Sequence, residues 1–251
     1  VHVLKLLQRF VLVTVGLGGG PAWASHDPLH LSFPQNPPLS YSNGSGPRGV
    51  FIDALRQRGA STGLVLSFEP RPPKRILAEI EANRSALCSL GWYKTPEREA
   101  FAKFSRPIYR DRAIVIVSAL PASAFAGAGS LAVLLSRGTY RIGAISGLSY
   151  GPEVDRILAA QPGMVMRPTV AVEQLLRMVV AGRVPLAVVT DEHLNWFLEQ
   201  EPGDTRLTRL ALSDLPKTGP QRYIMCSRST PDDLMKRLDA LIGDGLVPGH
   251  T

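Results

Sequence analysis

The sequence predicts an α/β protein of two lobes with a cleft between them, and three observations carry that expectation. Strand-like and helix-like segments alternate after the first two dozen residues, which implies mostly parallel sheets with helices on both faces. The segment 118–129 is rich in Ala, Gly, Ser and Pro, resembles a linker, and splits the alternation into two groups. No internal repeat crosses that break, so the groups read as two lobes rather than as solenoid units.

The elements follow in order. Lys5 and Arg9 precede the apolar run 10–17, a Gly-Pro break and Ala22-Trp23-Ala24, so residues 1–24 are expected to be a secretory signal cut after about Ala24. The run is shorter than the ~20 residues that span a bilayer. Its removal takes Lys5 and Arg9 away and lowers the net charge from +7 to +5. Residues 29–33 alternate as a first strand, and 34–49 form a Pro/Gly/Asn/Ser loop. A helix over 50–58, a strand over 64–68, a helix over 74–83 with Ile76, Leu77 and Ile80 on one face, and a strand over 85–90 complete the first group.

Residues 113–117 are the most strand-like run. After the break, a strand over 140–145 is followed by helices from about Pro152 and from Thr169. Thr169 suits an N-cap, and Val172, Leu175, Leu176 and Val179 fall at i, i+3, i+4 and i+7. Then come a strand over 186–189, a helix over 192–198 and a strand over 222–226. Pro231 opens a last helix, with Thr230 as cap and Leu234, Leu238 and Leu241 inward. Lobe 1 is expected over 25–115 plus 220–251, and lobe 2 over 116–219.

The basic balance is no nucleic-acid signature, because the arginines are scattered and no run of four basic residues occurs. Cys88 and Cys226 both lie in apolar, strand-like stretches. They are either small buried core residues or, if their strands are neighbours in an oxidising compartment, one disulfide. His26, His30, His193 and His250 show no ligand spacing with either cysteine, so neither metal nor cofactor is expected.

Three places could carry chemistry. In Thr95-Pro96-Glu97-Arg98, Thr95 caps a helical turn that Pro96 opens, and Arg98 projects just beyond a strand end, where a guanidinium can clamp a carboxylate. On spacing alone a solvated Arg98 paired with Glu97 or Glu99 is the simpler alternative. Gly147-Leu148-Ser149-Tyr150-Gly151 is literally G-x-S-x-G, but no oxyanion motif precedes it and Asp191 and His193 are too close together to complete a triad. It reads better as a turn whose N–H groups and Ser149 hydroxyl cradle an anion. Asp191, at the end of a strand, would receive an ammonium group or simply cap the next helix.

In this order the pieces resemble the type 2 periplasmic solute-binding proteins of the amino-acid-binding kind, which serve ABC importers. The resemblance runs through Pro37-Pro38-Leu39-Ser40-Tyr41, Gly49-Val50-Phe51-Ile52-Asp53, the block 91–99 from Gly91-Trp92-Tyr93 to Glu99, Phe104-Ser105-Arg106-Pro107-Ile108-Tyr109, the 147–151 turn and Ala187-Val188-Val189-Thr190-Asp191. It implies the type II two-lobed fold, a periplasmic location, a monomer, a small amino-acid-like or carboxylate-bearing ligand, an inner-membrane permease as partner and no catalysis. It assigns the ligand carboxylate to Arg98 and to Ser149 with its neighbour Tyr150, and the ammonium group to Asp191. Trp92, Tyr93 and Tyr41 are expected to line the cleft.

The chain also departs from that pattern. Tyr93 stands where relatives often carry a small hydroxyl residue, Leu39 where an aromatic is usual, and Cys88-Ser89 where the strand is usually acidic. A non-standard pocket, for a peptide-like or aromatic acid, is therefore expected. The alternatives are a sensing module, a periplasmic dehydratase on the same fold using Asp191 or His193, and a serine hydrolase using Ser149.

Overall fold

The computed structural model describes residues 29–62, 64–201, 203 and 207–247; the expected signal segment, His26 and His250 lie outside them. In chain order come β1 (Leu29–Phe33), the hairpin β2 (Tyr41–Asn43) and β3 (Gly46–Arg48), α1 (Val50–Thr62), β4 (Leu66–Pro70) and α2 (Pro73–Ala82). There follow β5 (Cys88–Tyr93), α3 (Pro96–Glu99), β6 (Ala102–Arg110), β7 (Ile114–Ser118), α4 (Leu131–Ser136), β8 (Ile142–Gly143) and α5 (Pro152–Ala160). Then come β9 (Val165–Met166), α6 (Val172–Val180), β10 (Leu186–Thr190), α7 (Asp191–Gln200), β11 (Thr208–Arg209), β12 (Gln221–Ser227) and α8 (Asp232–Ile242).

Beside the two-stranded β2-β3 hairpin, two five-stranded sheets form, in the orders β4-β1-β5-β12-β6 and β11-β7-β10-β8-β9. The chain leaves the first sheet after β6 and returns to it in β12, so two crossings join the lobes. Both sheets are mixed rather than mostly parallel. β4, β1 and β5 run parallel, as do β10, β8 and β9, but β12 opposes β5 and β6, and β7 opposes β10 and β11. The reason lies in the crossings: β7 and β12 start at the hinge and run away from it, against strands that end there. The carboxyl ends of the other strands are thereby gathered toward the cleft, where ligands of open α/β sheets collect.

Each lobe buries apolar side chains on both faces of its sheet, as an α/β layer requires. In β10, Leu186 and Val188 enter one core with Ile114, Ile116 and Leu158, while Ala187 and Val189 enter another with Leu175, Leu176, Val179 and Phe197. β5 breaks that alternation. Leu90 faces the core of α1 and α8, and Trp92, two residues on, lies with Ile76, Ile80 and Met225 against α2. Gly91, at φ +79°, makes the switch, and the β5–β12 register shifts beside it between Tyr223 and Met225.

Several expectations change. The segment 118–129 is no free linker, since Phe125 and Ala128 are buried in the second lobe's core and Ser213 N–H bonds Gly129 O at 2.8 Å. The chain passes from the first sheet to the second between β6 and β7, and β7 belongs whole to the second sheet. Helix α6 begins after Ala171 rather than Thr169, and α8 after Pro231, while Thr230 is buried within 3.3 Å of Ser227 Oγ. Leu234 is half-buried, and Ile242 joins Leu238 and Leu241 in the core instead. β6 escaped the reading because Pro107 interrupts it, a residue tolerated here because the strand lies at the sheet edge. Cys88 and Cys226 face each other on β5 and β12 and are disulfide-bonded.

Candidate functional site

Arg98 sits where its strand ends. Thr95 Oγ1 accepts its backbone N–H at 3.4 Å, capping the short α3. The guanidinium lies over the Trp92 ring, 5.0 Å from its centroid, so the Gly91 switch also places the aromatic face beneath the charge. Nη1 donates to Tyr93 O at 2.9 Å, and Nη2 reaches across the seam to Gly147 O at 3.3 Å. Arg98 is only 9% exposed, and its hydrogen-bond partners are two uncharged carbonyls. Burial pushes its pKa down to about 10, with Asp155 opposing the shift from a distance.

The turn facing it is already filled from within. Ser149 Oγ donates to Asp155 Oδ2, Tyr150 N–H donates to Asp155 Oδ1 at 2.9 Å, and Gly151 N–H donates to Ser149 Oγ at 3.2 Å. Tyr150 is buried in its own lobe, its phenol oxygen accepting Ile145 N–H at 2.7 Å. Ser149 thus has a carboxylate rather than a histidine as partner, and the G-x-S-x-G context assembles no nucleophile–base pair. On the other side the N-terminal end of α2 closes on the turn, with Lys74 and Pro73 atoms 3.4 Å from where a Gly147 Cβ would lie.

At the hinge Asp111 and Arg222 form a buried two-pronged ion pair, with Nε–Oδ1 and Nη2–Oδ2 both at 2.6 Å. Burial alone would weaken the Arg222 charge, but the attraction and hydrogen bonds of Asp111 outweigh it and raise the pKa. Tyr93 belongs to this cluster: its hydroxyl donates to Asp111, and its ring carries the Arg222 guanidinium 4.5 Å from the centroid. The crossings are also zipped by Asp111 N–H to Pro220 O at 3.1 Å and Gly219 N–H to Asp111 O at 3.0 Å. From the second lobe Glu192 Oε1 accepts Tyr109 O–H at 2.9 Å and the Arg112 N–H.

Three adjoining cavities lie along the seam. One of about 300 Å³ holds Arg98, Thr95, Phe101, Ser149 and Asp155. The innermost, about 20 Å³, is walled by Asn36, Tyr93, Arg222, Ser149, Thr190 and His193 among others. The third, about 270 Å³, is mostly apolar, with Pro70, Pro72, Pro73, Ile145, Leu148 and Val170. Ser149 lines both of the first two, and Ile145 and Leu148 both of the last two, so the small cavity has one of the larger ones on each side.

Three expected residues, Trp92, Asp191 and Tyr41, line none of these three cavities; Trp92 lies buried beneath the Arg98 guanidinium. The carboxylate of Asp191 is held by Arg209 at 3.0 Å and by Asn195 at 3.2 Å, and it lines none of the three cavities; the helix cap is Thr190 instead. Tyr41 packs across the seam on Trp196, 5.6 Å between ring centroids, in a further groove between the lobes that Arg48 and Glu173 also line.

The family model for bacterial extracellular solute-binding proteins, family 3, matches residues 31–242. The chain belongs to that family. Solved structures of solute-binding proteins share the two-lobed fold. An ancestral arginine-binding protein bound to arginine superposes with TM-score 0.66 at 17% identity, covering 85% of this chain and 90% of the other. The arginine-, lysine-, histidine-binding protein ArtJ from Geobacillus stearothermophilus gives 0.67 at 13%, covering 86% and 87%. A histidine kinase sensor domain with similarity to periplasmic binding proteins gives 0.65 at 18%, covering 86% and 89%. Among curated proteins none matches the sequence significantly.

For a solute-binding protein the residues that sequence reasoning missed are as informative as those it found. Asp155 reads as an ordinary acid in a helix's first turn, and Arg222 as the first residue of a strand. Asn36 lies in a Pro-rich loop without periodicity. None carries a local signal; each gains its role from a partner brought close by the fold.

Proposed function

We propose that this solute-binding protein captures a small carboxylate-bearing solute between its lobes by hinge closure, with Arg98 as the carboxylate anchor. The observation that carries the reading is a desolvated guanidinium at the seam whose partners are both neutral carbonyls, a cation for which an anionic ligand supplies the missing countercharge. A ligand touching Arg98 on one lobe and Ser149 on the other favours the closed state by its differential contacts. The protein acts as a secreted monomer, residues 1–24 removed after about Ala24, delivers its cargo to an inner-membrane ABC permease and performs no chemistry. The Cys88–Cys226 bridge supports an oxidising compartment such as the periplasm.

A thermal-shift screen against carboxylic acids and amino acids tests this, since a ligand of the folded state at 100 times its Kd adds about 2.7 kcal/mol. Arg98→Ala should fold and lose the shift; a shift retained in that variant overturns the anchor. The sensor-domain neighbour favours a second reading, capture of the same solute for signalling. A permease gene beside this one would favour import.

A further inference from the structure

Two residues that wall the innermost cavity each carry a buried polar atom without a hydrogen-bond partner. Asn36 is 4% exposed and His193 5%, both line the cavity, and neither Asn36 Oδ1 nor His193 Nε2 has a hydrogen-bond partner. Orphaned groups at that depth are costly unless something completes them. His193 Nδ1 lies 2.8 Å from Thr190 Oγ1, the oxygen that also accepts the His193 backbone N–H, so the Thr190 hydroxyl can donate its proton to Nδ1. In that tautomer the ring proton resides on Nε2. With the proton on Nε2, one unpaired donor, on His193, and one unpaired acceptor, on Asn36, belong to the walls of a space of about 20 Å³. That is room for a single oxygen with its hydrogen.

We infer that this cavity is a hydroxyl subsite and that the cargo is a 2-hydroxy acid with an apolar side chain. The inference rests on Arg98 as carboxylate anchor. A hydroxyl accepts from His193 and donates to Asn36. An α-ammonium group has only donors to offer, meets no free carboxylate in the lining, and faces the Arg222 guanidinium. Burial and Arg222 together keep His193 neutral, its pKa lowered to about 3, so the pattern persists at neutral pH. Asp191, the acid expected to take an ammonium group, is engaged by Arg209. The sequence of cavities sets the rest of the molecule. Across Ser149 lies the Arg98 cavity, for the carboxylate; across Ile145 and Leu148 lies the Pro-lined cavity, for an apolar side chain.

Calorimetric titration of the purified protein at pH 7 with phenyllactate, phenylalanine of the same configuration and 3-phenylpropionate decides the matter. Phenyllactate should bind about tenfold more tightly than either of the others, the worth of a satisfied hydrogen bond at a buried site. Asn36→Ala, in a loop outside the cores, should erase the advantage over 3-phenylpropionate, read as the ratio of the two Kd values in the same variant. Phenylalanine binding as tightly as phenyllactate, or an advantage that survives Asn36→Ala, overturns the hydroxyl subsite and leaves the Arg98 anchor standing. If none of the three binds, and a wider panel of carboxylates also fails, the anchor falls and the subsite with it.

Discussion

Arg98 Nη2 and the Gly147 carbonyl, 3.3 Å apart, join the two lobes through the guanidinium nominated to hold cargo. The guanidinium keeps further N–H donors for a ligand while it bridges the lobes, and an acid already stands in its cavity. Asp155 holds the Ser149 hydroxyl and the Tyr150 N–H, and it lines the same cavity as Arg98.

Asp155→Asn removes a negative charge from the place where a ligand carboxylate would lie. We expect carboxylates to bind several-fold more tightly, with the gain shrinking at high salt as the charge is screened. Stability should fall by about 1 kcal/mol, the worth of the hydrogen bonds weakened at the turn. Titrations at two salt concentrations check both; weaker binding would show that Asp155 orients Ser149 for the ligand instead of competing with it.

Asp111→Ala should cost about 3–5 kcal/mol, because it strands the buried Arg222 charge between the two crossings. Pairing it with Arg222→Met should recover a large part of that loss, since no lone ion remains. Urea midpoints for the single and double variants measure the coupling. Additive losses would mean that the pair contributes through packing alone.

Replacing both Cys88 and Cys226 by Ala should destabilise by about 2–4 kcal/mol, because the bridge closes a 138-residue separation that contains the whole second sheet. The loss should appear chiefly as a less restricted unfolded chain. Reducing agent should therefore lower the melting temperature of the parent protein and leave the double variant unmoved.

Much of the fold was legible because it rests on local periodicity. Residues 29–33 alternate and form β1, and Val172, Leu175, Leu176 and Val179 are all buried. Arg98 was legible too, since Thr95 and Pro96 set its turn within four residues. What stayed hidden depends on distant partners. Nothing beside Asp191 in sequence announces Arg209, 18 residues on, and nothing near Tyr93 announces Asp111 and Arg222. Mixed pairing was hidden for the same reason, because the direction of β12 is set by a return crossing that hydropathy does not record.

His193 supplies a pH test. Its folded pKa is lowered from 6.5 to about 3 by burial first and by Arg222 second, so the folded protein keeps the ring neutral while the unfolded chain protonates it. Between those values the unfolded state binds the extra proton. The contribution is thus fully present above about pH 6.5 and is lost as pH falls toward 3, at about 1.4 kcal/mol per unit. Other groups titrate in the same range, so the informative quantity is a difference. In His193→Gln, which keeps a polar side chain without a titrating ring, the decline between pH 6 and pH 4 should be shallower than in the parent by roughly 2–3 kcal/mol. Urea unfolding at pH 7, 6, 5 and 4 for both proteins measures it; parallel curves would mean that the ring takes up its proton without leaving the folded state.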